Sequence, residues 1–146
     1  MTDFLPDTNI WLALTLDWHP AHSPARRWWE RLSDIDRVVM CRPVQLSTLR
    51  LLTTRAVFTA GGVEPLTNTQ AWAVMDEIVA DRRVECRVLE PRGTEELWRA
   101  ASDISSSSPK MWMDAYLSGW ARAAGATLVT SDHALARAHN GAAVLL

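Results

Sequence analysis

Short apolar runs typical of β-strands alternate with helical segments along the whole chain. The runs are residues 4–5, 38–41, 84–89, 127–129 and 143–146, and each is separated from the next by at least one helical segment. Strands separated by helices throughout are typical of parallel sheets rather than of all-helical bundles or β-barrels. The pattern predicts an α/β fold, a three-layer α/β/α sandwich around a central, mostly parallel sheet.

Local signals mark several helix boundaries. Pro43 lies where a helix tolerates proline, in its first turn. Thr67 and Gln70 have the spacing of a capping box at a helix start. Gly125 follows a long helical pattern and is well placed to end that helix in the left-handed conformation. These signals support the division of the chain into alternating strands and helices.

Three of the tryptophans are expected in the core or in a dimer interface, and the two cysteines are expected inside the protein. Trp28, Trp72 and Trp98 fit helical apolar stripes, which favours core packing or a dimer interface over base stacking. Cys41 and Cys86 have no metal-ligand spacing and lie beside apolar runs, so we expect both to be reduced and buried.

Chain length and hydropathy bound the architecture further. The 146 residues contain no repeat, low-complexity tract or linker, which predicts one domain covering residues 1–146. No apolar run approaches the roughly 20 residues of a membrane-spanning helix, and no basic stretch precedes an apolar one at the N-terminus. We therefore expect a cytoplasmic protein without a membrane partner.

The charge distribution gives a weaker signal. A net charge of −2 argues against a protein that holds nucleic acid by bulk electrostatics. Lys110 is the only lysine among 15 basic residues, and several of the arginines are grouped at residues 26–27, 50–55 and 82–87. Arginine binds phosphate through paired hydrogen bonds, so such groups could line an RNA path. A genome that favours arginine codons would produce the same composition without any binding role.

Three aspartates occur where predicted elements begin or end. Asp7 directly follows the first strand, Asp132 follows the strand at 127–129, and Asp114 lies in the helix before that strand. Ligands of parallel sheets bind outside the carboxyl ends of the strands, so Asp7 and Asp132 should share one edge of the sheet. Asp114 shares a helical face with Leu117 and Ala121, which directs its carboxylate toward the protein.

These aspartates have both a structural and a functional explanation. Asp7 and Asp132 could cap the helices that follow them, and Asp114 could pair with Lys110 one turn earlier. Gathered together, however, the three carboxylates would suit Mg²⁺, which takes oxygen ligands and keeps several waters. A cation held there would lower the pKa of a water and neutralise charge on a scissile phosphate. His19 and His22, His133, Trp11 and Trp112 are secondary candidates for contacts with metal or substrate.

Two segments resemble the PIN-domain ribonucleases, in particular the VapC toxins of bacterial toxin–antitoxin pairs. The first is DTNIWLAL at residues 7–14, followed by HPAH at 19–22 and the tryptophans at 28–29. The second is DAYL at 114–117, followed by AGATLVTSD at 124–132. The order and spacing of the motifs are specific, and the resemblance spans nearly the whole chain.

The resemblance implies a function and a set of site residues. A protein of this kind would be a homodimeric endoribonuclease that depends on Mg²⁺ or Mn²⁺, cleaves structured RNA such as tRNA or rRNA, and is inhibited by a small cognate antitoxin. The metal ligands and catalytic residues of the family would correspond to Asp7, Asp114 and Asp132. Asn9 and Thr130 would be supporting polar residues.

One position departs from the family pattern and keeps two other functions open. The family commonly has a glutamate in the helix before the LRLLT run, and Gln45 is expected at the matching position, facing inward as the fourth corner of the pocket. Glutamine adds no charge, which predicts weaker metal binding. A module that binds RNA or antitoxin without cleaving is therefore an alternative. The other is a phosphoryl-accepting signalling domain, which requires a lysine near the phosphate, and only Lys110 is available.

Overall fold

A parallel β-sheet forms the centre of the protein. The computed structural model describes residues 1–146. The strands are β1 (Asp3–Pro6), β2 (Arg37–Cys41), β3 (Val84–Arg87), β4 (Thr127–Thr130) and β5 (Ala143–Leu145). They have the order β3-β2-β1-β4-β5 in the sheet, and every neighbouring pair is parallel. The predicted α/β fold with a parallel sheet is confirmed.

Helices flank the sheet and form the outer layers of the sandwich. The helices are α1 (Thr8–Thr15), α2 (His22–Arg31), α3 (Arg42–Leu52), α4 (Arg55–Phe58), α5 (Asn68–Ala80), α6 (Thr94–Ser102), α7 (Met111–Ala124) and α8 (His133–Ala138), with a 3-10 turn at Thr59–Gly61. Helix α1 contacts α2 and α3, α3 also contacts α5, and α6 packs along α7. None of these helices has both the length and the hydropathy that a membrane span requires.

The strand order places a topological switch point beside β1. From β1 the chain continues to β2 and β3 on one side, whereas β4 and β5 lie on the other side. Two neighbouring strands whose connections run in opposite directions leave a crevice at their carboxyl ends, which is where ligands of such sheets bind. Asp7 follows β1 and Asp132 lies two residues after the end of β4, so both are positioned at this crevice.

The helix signals predicted from sequence are present. Thr67 and Gln70 form a reciprocal capping box at the start of α5. Pro43 lies in the first turn of α3. Gly125 ends α7 with φ 66°, a left-handed conformation that side chains other than glycine disfavour.

Core packing is wrong for Trp72, and burial is wrong for Cys86. Trp28 is buried and Trp98 is partly buried against the core, but Trp72 is 51% exposed, because α5 directs Ala71 and Met75 into the core and position 72 lies to one side of that face. The dimer interface, the other role predicted for Trp72, stays a prediction. Cys41 on β2 is buried, whereas Cys86 is exposed on β3, an edge strand that pairs only with β2. Both cysteines are free thiols.

Close contact between α6 and α7 positions the helix that carries Asp114. A Cβ atom added at Gly119 would lie 2.8 Å from the backbone nitrogen of Trp98 and 3.1 Å from the backbone oxygen of Thr94. Any larger residue would therefore push α6 away from α7. Glycine at this position allows the two helix backbones to touch.

Candidate active site

The three aspartates predicted from sequence line one pocket at the crevice beside β1. This aspartate pocket, of about 240 Å³, contains Asp7, Asp114 and Asp132. Thr8 and Asn9 from the start of α1 line it as well. The tertiary structure thus brings together carboxylates that are 18 to 125 residues apart in the chain.

Asp7 is held rigidly at the base of the pocket. It is only 6% exposed and caps α1, because its Oδ1 accepts a hydrogen bond of 2.9 Å from the backbone N–H of Ile10. Its Oδ2 accepts a short hydrogen bond from the hydroxyl of Thr130. Capping therefore accounts for only one of the two carboxylate oxygens.

Thr130 connects Asp7 with Asp132. Its fully buried hydroxyl donates to Asp7 and accepts a hydrogen bond of 2.9 Å from the backbone N–H of Asp132. A hydroxyl has one proton to donate, and in this geometry that proton is directed at Asp7. The last residue of β4 thus fixes the relative positions of two pocket aspartates.

Asp132 combines a capping role with a position at the pocket wall. Its Oδ1 accepts hydrogen bonds from the backbone N–H groups of Ala134 at 2.7 Å and Leu135 at 3.1 Å, which caps α8. Its Oδ2 makes no hydrogen bond within the protein. The side chain is exposed, so this second oxygen is accessible to a ligand.

Asp114 has no partner at all. It is half-buried in the first turn of α7, and it makes neither a hydrogen bond nor an ion pair, so the alternative pairing with Lys110 is not formed. A partly desolvated carboxylate without a partner costs stability unless a cation balances it. The simplest explanation of its position is therefore that Asp114 contacts a bound ligand.

Electrostatic repulsion affects the carboxylates of the pocket. Burial raises the pKa of Asp7, and the charges of Asp114 and Asp132 raise it further, against the lowering effect of the hydrogen bonds from Thr130 and Ile10. Burial also raises the pKa of Asp114, with an additional contribution from Asp132. Both shifts show that negative charge is unfavourable here until a positive group is added.

We expect the unfavourable charge of Asp114, caused first by burial and then by repulsion from Asp132, to be measurable as a pH-dependent difference in stability. A raised pKa means that the folded protein binds the proton of Asp114 more tightly than the unfolded chain, so ionisation at higher pH destabilises the fold. In EDTA, Asp114→Asn should therefore melt about 2–4 °C higher than wild type near pH 8. The difference should vanish as pH falls below the ordinary value of 3.8, where both side chains are neutral.

The control for this measurement is Asp76→Asn, which neutralises an exposed carboxylate on α5 outside the pocket. Its melting temperature should follow that of wild type at every pH. Parallel curves for wild type and Asp114→Asn would contradict the unfavourable charge at position 114.

The side of the pocket formed by α3 differs from the prediction. Gln45 is buried, as expected, but it does not line the aspartate pocket, and its Oε1 accepts a short hydrogen bond from the guanidinium of Arg42. Ser47 and Arg50 face the aspartates instead. Two positions along a helix correspond to a rotation of about 200°, so residues 45 and 47 point in nearly opposite directions. Ser47 and Arg50 are three residues apart, so they lie on the same face of α3. This i and i+3 spacing is the signal in the sequence by which the two residues could have been found.

The ligand atoms available in the pocket suit a hard divalent cation. They are oxygens from carboxylates, from the Asn9 amide and from the Ser47 hydroxyl, without a thiol or imidazole. No group of three or more His, Cys, Asp or Glu side chains is arranged as a complete metal site. Mg²⁺ commonly uses only one or two carboxylates and keeps several waters, and the residues present fit that mode of binding.

The secondary candidates lie elsewhere. His22 Nδ1 lies 2.7 Å from the carbonyl oxygen of Ala13, and His19 Nδ1 accepts a hydrogen bond from the N–H of Ala21, so both rings have structural partners. Trp112 packs edge-on against Trp98 on the side of α7 away from Asp114. These residues, like Trp11 and His133, do not line the aspartate pocket.

Comparison with known families agrees with this geometry. A model of the PIN domain matches residues 4–140. The chain belongs to the PIN-domain family. It is 45% identical over 130 residues to ribonuclease VapC41 of Mycobacterium tuberculosis, in strains H37Rv and CDC 1551, with 89% of each chain covered. The predicted resemblance to PIN-domain proteins of the VapC type is confirmed.

Solved structures of PIN-domain proteins share the fold. VapBC2 from Rickettsia felis, bound to a DNA fragment from its promoter, matches with a TM-score of 0.69 and 16% identity over 99% of this chain and 98% of that chain. VapC20 of Mycobacterium tuberculosis, a toxin that cleaves the sarcin-ricin loop, matches with a TM-score of 0.63 and 20% identity over 92% and 94%. At such identities the likeness concerns the fold alone.

Proposed function

We propose that this PIN-domain protein is an endoribonuclease of the VapC type that uses Mg²⁺ or Mn²⁺ to hydrolyse phosphodiester bonds of structured RNA such as tRNA or rRNA. The observation that carries the proposal is the convergence of Asp7, Asp114 and Asp132 on one pocket at the switch point of the sheet. The similarity to a ribonuclease at 45% identity supports it.

Each pocket residue has a distinct role in this proposal. Asp7 and Asp114 hold the cation, and the free Oδ2 of Asp132 completes the oxygen cluster. When bound, the cation would stabilise the charge that develops on the scissile phosphate and lower the pKa of a water. Thr130 orients Asp7, and the exposed amide of Asn9 contacts the RNA at the rim. The role of Gln45 is limited to support of α3 through Arg42.

The guanidinium of Arg50 is suited to bind the RNA backbone. It lines the pocket from α3, is exposed, and makes no ion pair within the protein. Arginine presents a rigid pair of donors to phosphate oxygens. In a pocket that otherwise repels phosphate, this positive charge gives the substrate a point of attachment.

Cleavage of total RNA tests the proposal directly. Purified protein is incubated with RNA that includes tRNA and rRNA, in Mg²⁺, in Mn²⁺ or in EDTA, and fragment ends are mapped by sequencing. We expect discrete cuts that require one of the two metals. Fragments that form equally in EDTA would contradict a metal-dependent mechanism.

The composition of the α3 side of the pocket leads to a further prediction. Ser47→Glu would add a fourth carboxylate where the serine faces the aspartates, and we expect Mg²⁺ affinity to increase about tenfold in calorimetric titration. The matched control is Gln45→Glu, two residues away and outside the pocket, which should leave affinity unchanged. A higher Mg²⁺ affinity for Gln45→Glu but not for Ser47→Glu would show that position 45, and not position 47, faces the aspartates.

A module that binds RNA without cleaving it is the second candidate. It is favoured by the absence of a complete three-ligand metal cluster and by the neutral Ser47 on the α3 side. This candidate predicts RNA binding that does not change with metal, together with intact RNA after long incubation in Mg²⁺ or Mn²⁺. The same incubation therefore distinguishes the two functions.

We propose two protein partners and a location as part of the same function. Solved neighbours include VapBC2 and VapBC-1 assemblies, which supports a small antitoxin that binds this protein and blocks cleavage. Co-expression with the product of an adjacent small reading frame should yield a stable, inactive complex.

We also propose that the protein is a homodimer. Light scattering should then give twice the chain mass of 16.3 kDa. The proposed location is the cytoplasm, where the RNA substrates are.

A further inference from the structure

A second cleft adjoins the aspartate pocket and shares two of its walls. It has a volume of about 470 Å³ and lies between the C-terminal end of α6, the N-terminal half of α7 and helix α8. Asp114 and Asp132 line both this cleft and the aspartate pocket. The two cavities therefore meet at these two side chains.

The interior of the second cleft is apolar and built from small side chains. Ala115 and Leu135 form a buried floor, and Ala101, Ala134 and Ala138 stand at the exposed edges. Small residues on three converging helices leave a space into which a flat ring can enter. The volume falls within the range of about 300–1,000 Å³ that is typical of sites for small organic ligands.

Polar groups lie where they could orient such a ring. The ammonium of Lys110 at the mouth is exposed and has no ion-pair partner. The buried hydroxyl of Ser118 lies 2.8 Å from Nδ1 of His139, and this one hydrogen bond leaves the hydroxyl able to make others. Ser108 contributes a second hydroxyl from the loop before α7.

We propose that the second cleft is a subsite for the nucleobase of the RNA residue next to the scissile phosphate. The inference rests on the proposed nuclease function, because the scissile phosphate is placed in the aspartate pocket. The neighbouring base enters the apolar cleft between α6, α7 and α8, and Lys110 binds the next phosphate of the chain. Ser118 donates to or accepts from the edge of the base.

Charge favours a base over other occupants of the cleft. Two carboxylates at the wall repel a free anion, so a phosphate alone would be held only at Lys110. A neutral ring that carries hydrogen-bond donors avoids this repulsion and also buries the apolar floor. Because the cleft and the aspartate pocket share Asp114 and Asp132, one RNA chain can occupy both with its phosphate and its base.

Binding of single nucleotides tests the subsite without any need for cleavage. The ¹⁵N-labelled protein is titrated in EDTA with AMP, GMP, CMP and UMP up to about 10 mM, with inorganic phosphate as the reference. At least one nucleotide should shift the amide signals of Ala101, Met111 and Ala138, and phosphate should shift only those near Lys110.

Two alanines on α6 provide a matched pair of variants. Ala101 and Ala100 are neighbours and both are exposed, but only Ala101 lines the cleft. Ala101→Phe should weaken nucleotide binding at least about tenfold by filling the cleft, whereas Ala100→Phe should bind as wild type does. Ala138→Phe fills the same space from α8 and should reproduce the loss of nucleotide binding. Agreement between the two variants would show that the loss does not come from a local defect of α6.

The outcomes separate the subsite from the nuclease. Absence of shifts with all four nucleotides, shifts equal to those with phosphate, or unchanged binding by both phenylalanine variants in the cleft would overturn the subsite. Nucleotide binding in the cleft by a protein that cleaves no RNA would support the subsite and reject the proposed hydrolysis. Cleavage without nucleotide binding would reject the subsite alone.

Discussion

Asp114→Asn is expected to lower the rate of RNA cleavage by about 100- to 1,000-fold, the usual effect of removing one group that stabilises charge in a transition state. Asp114 is the only pocket aspartate without a hydrogen bond, so its carboxylate is free to hold a cation. Asparagine keeps the volume and removes the charge. The measurement is the initial rate of cleavage of a fixed RNA at several Mg²⁺ concentrations.

Asp76→Asn is the control for this loss, because it removes an exposed carboxylate of α5 from outside the pocket. It should cleave at the wild-type rate. Since Asp114→Asn is expected to be at least as stable as wild type without metal, unfolding would not explain its inactivity. A wild-type rate for Asp114→Asn would remove this residue from the active site and with it the proposed mechanism.

Thr130→Val is expected to reduce cleavage by about 10- to 100-fold, although Thr130 touches neither substrate nor solvent. Valine has the same shape but leaves Oδ2 of Asp7 and the backbone N–H of Asp132 without their hydrogen-bond partner. Buried polar groups without partners also lower the free energy of unfolding by about 1–3 kcal/mol. Activity and chemical denaturation are measured on the same preparation.

The pH profile distinguishes a positioning role of Thr130 from a general loss of stability. The hydrogen bond from Thr130 lowers the pKa of Asp7, so its removal raises that pKa further. The acidic limb of the rate profile should therefore move to higher pH in Thr130→Val. Thr130→Ser keeps the hydroxyl and should retain the wild-type profile. A profile that is unchanged in the valine variant would show that Thr130 serves only packing.

The pattern of strands and helices was predictable because it depends on local physics. Apolar periodicity, the capping box at Thr67 and the left-handed glycine at position 125 each act within a few residues, and the structure contains all of them. The parallel arrangement followed as well, because a helix between successive strands returns the chain to the same end of the sheet. Asp7 and Asp132 could be assigned to one edge for this reason.

The errors concern residues whose surroundings come from distant parts of the chain. Trp72 and its neighbour Ala71 both fit apolar stripes, and only the packing of α5 decides which one is buried. Cys86 follows an apolar pattern, but its exposure depends on the edge position of β3. On α3, the direction of the helix relative to β1 places Ser47 rather than Gln45 beside the aspartates.

Helix and strand periods and strand ends are properties of neighbouring residues, so the elements, the parallel sheet and the candidacy of the three aspartates followed from the amino-acid sequence alone. Three features did not follow from it: the link from Asp7 to Asp132 through Thr130, the unpaired state of Asp114, and the second cleft beside the pocket. They involve hydrogen bonds and charge repulsion between groups up to 125 residues apart, and packing alone sets the distances and directions on which these interactions depend.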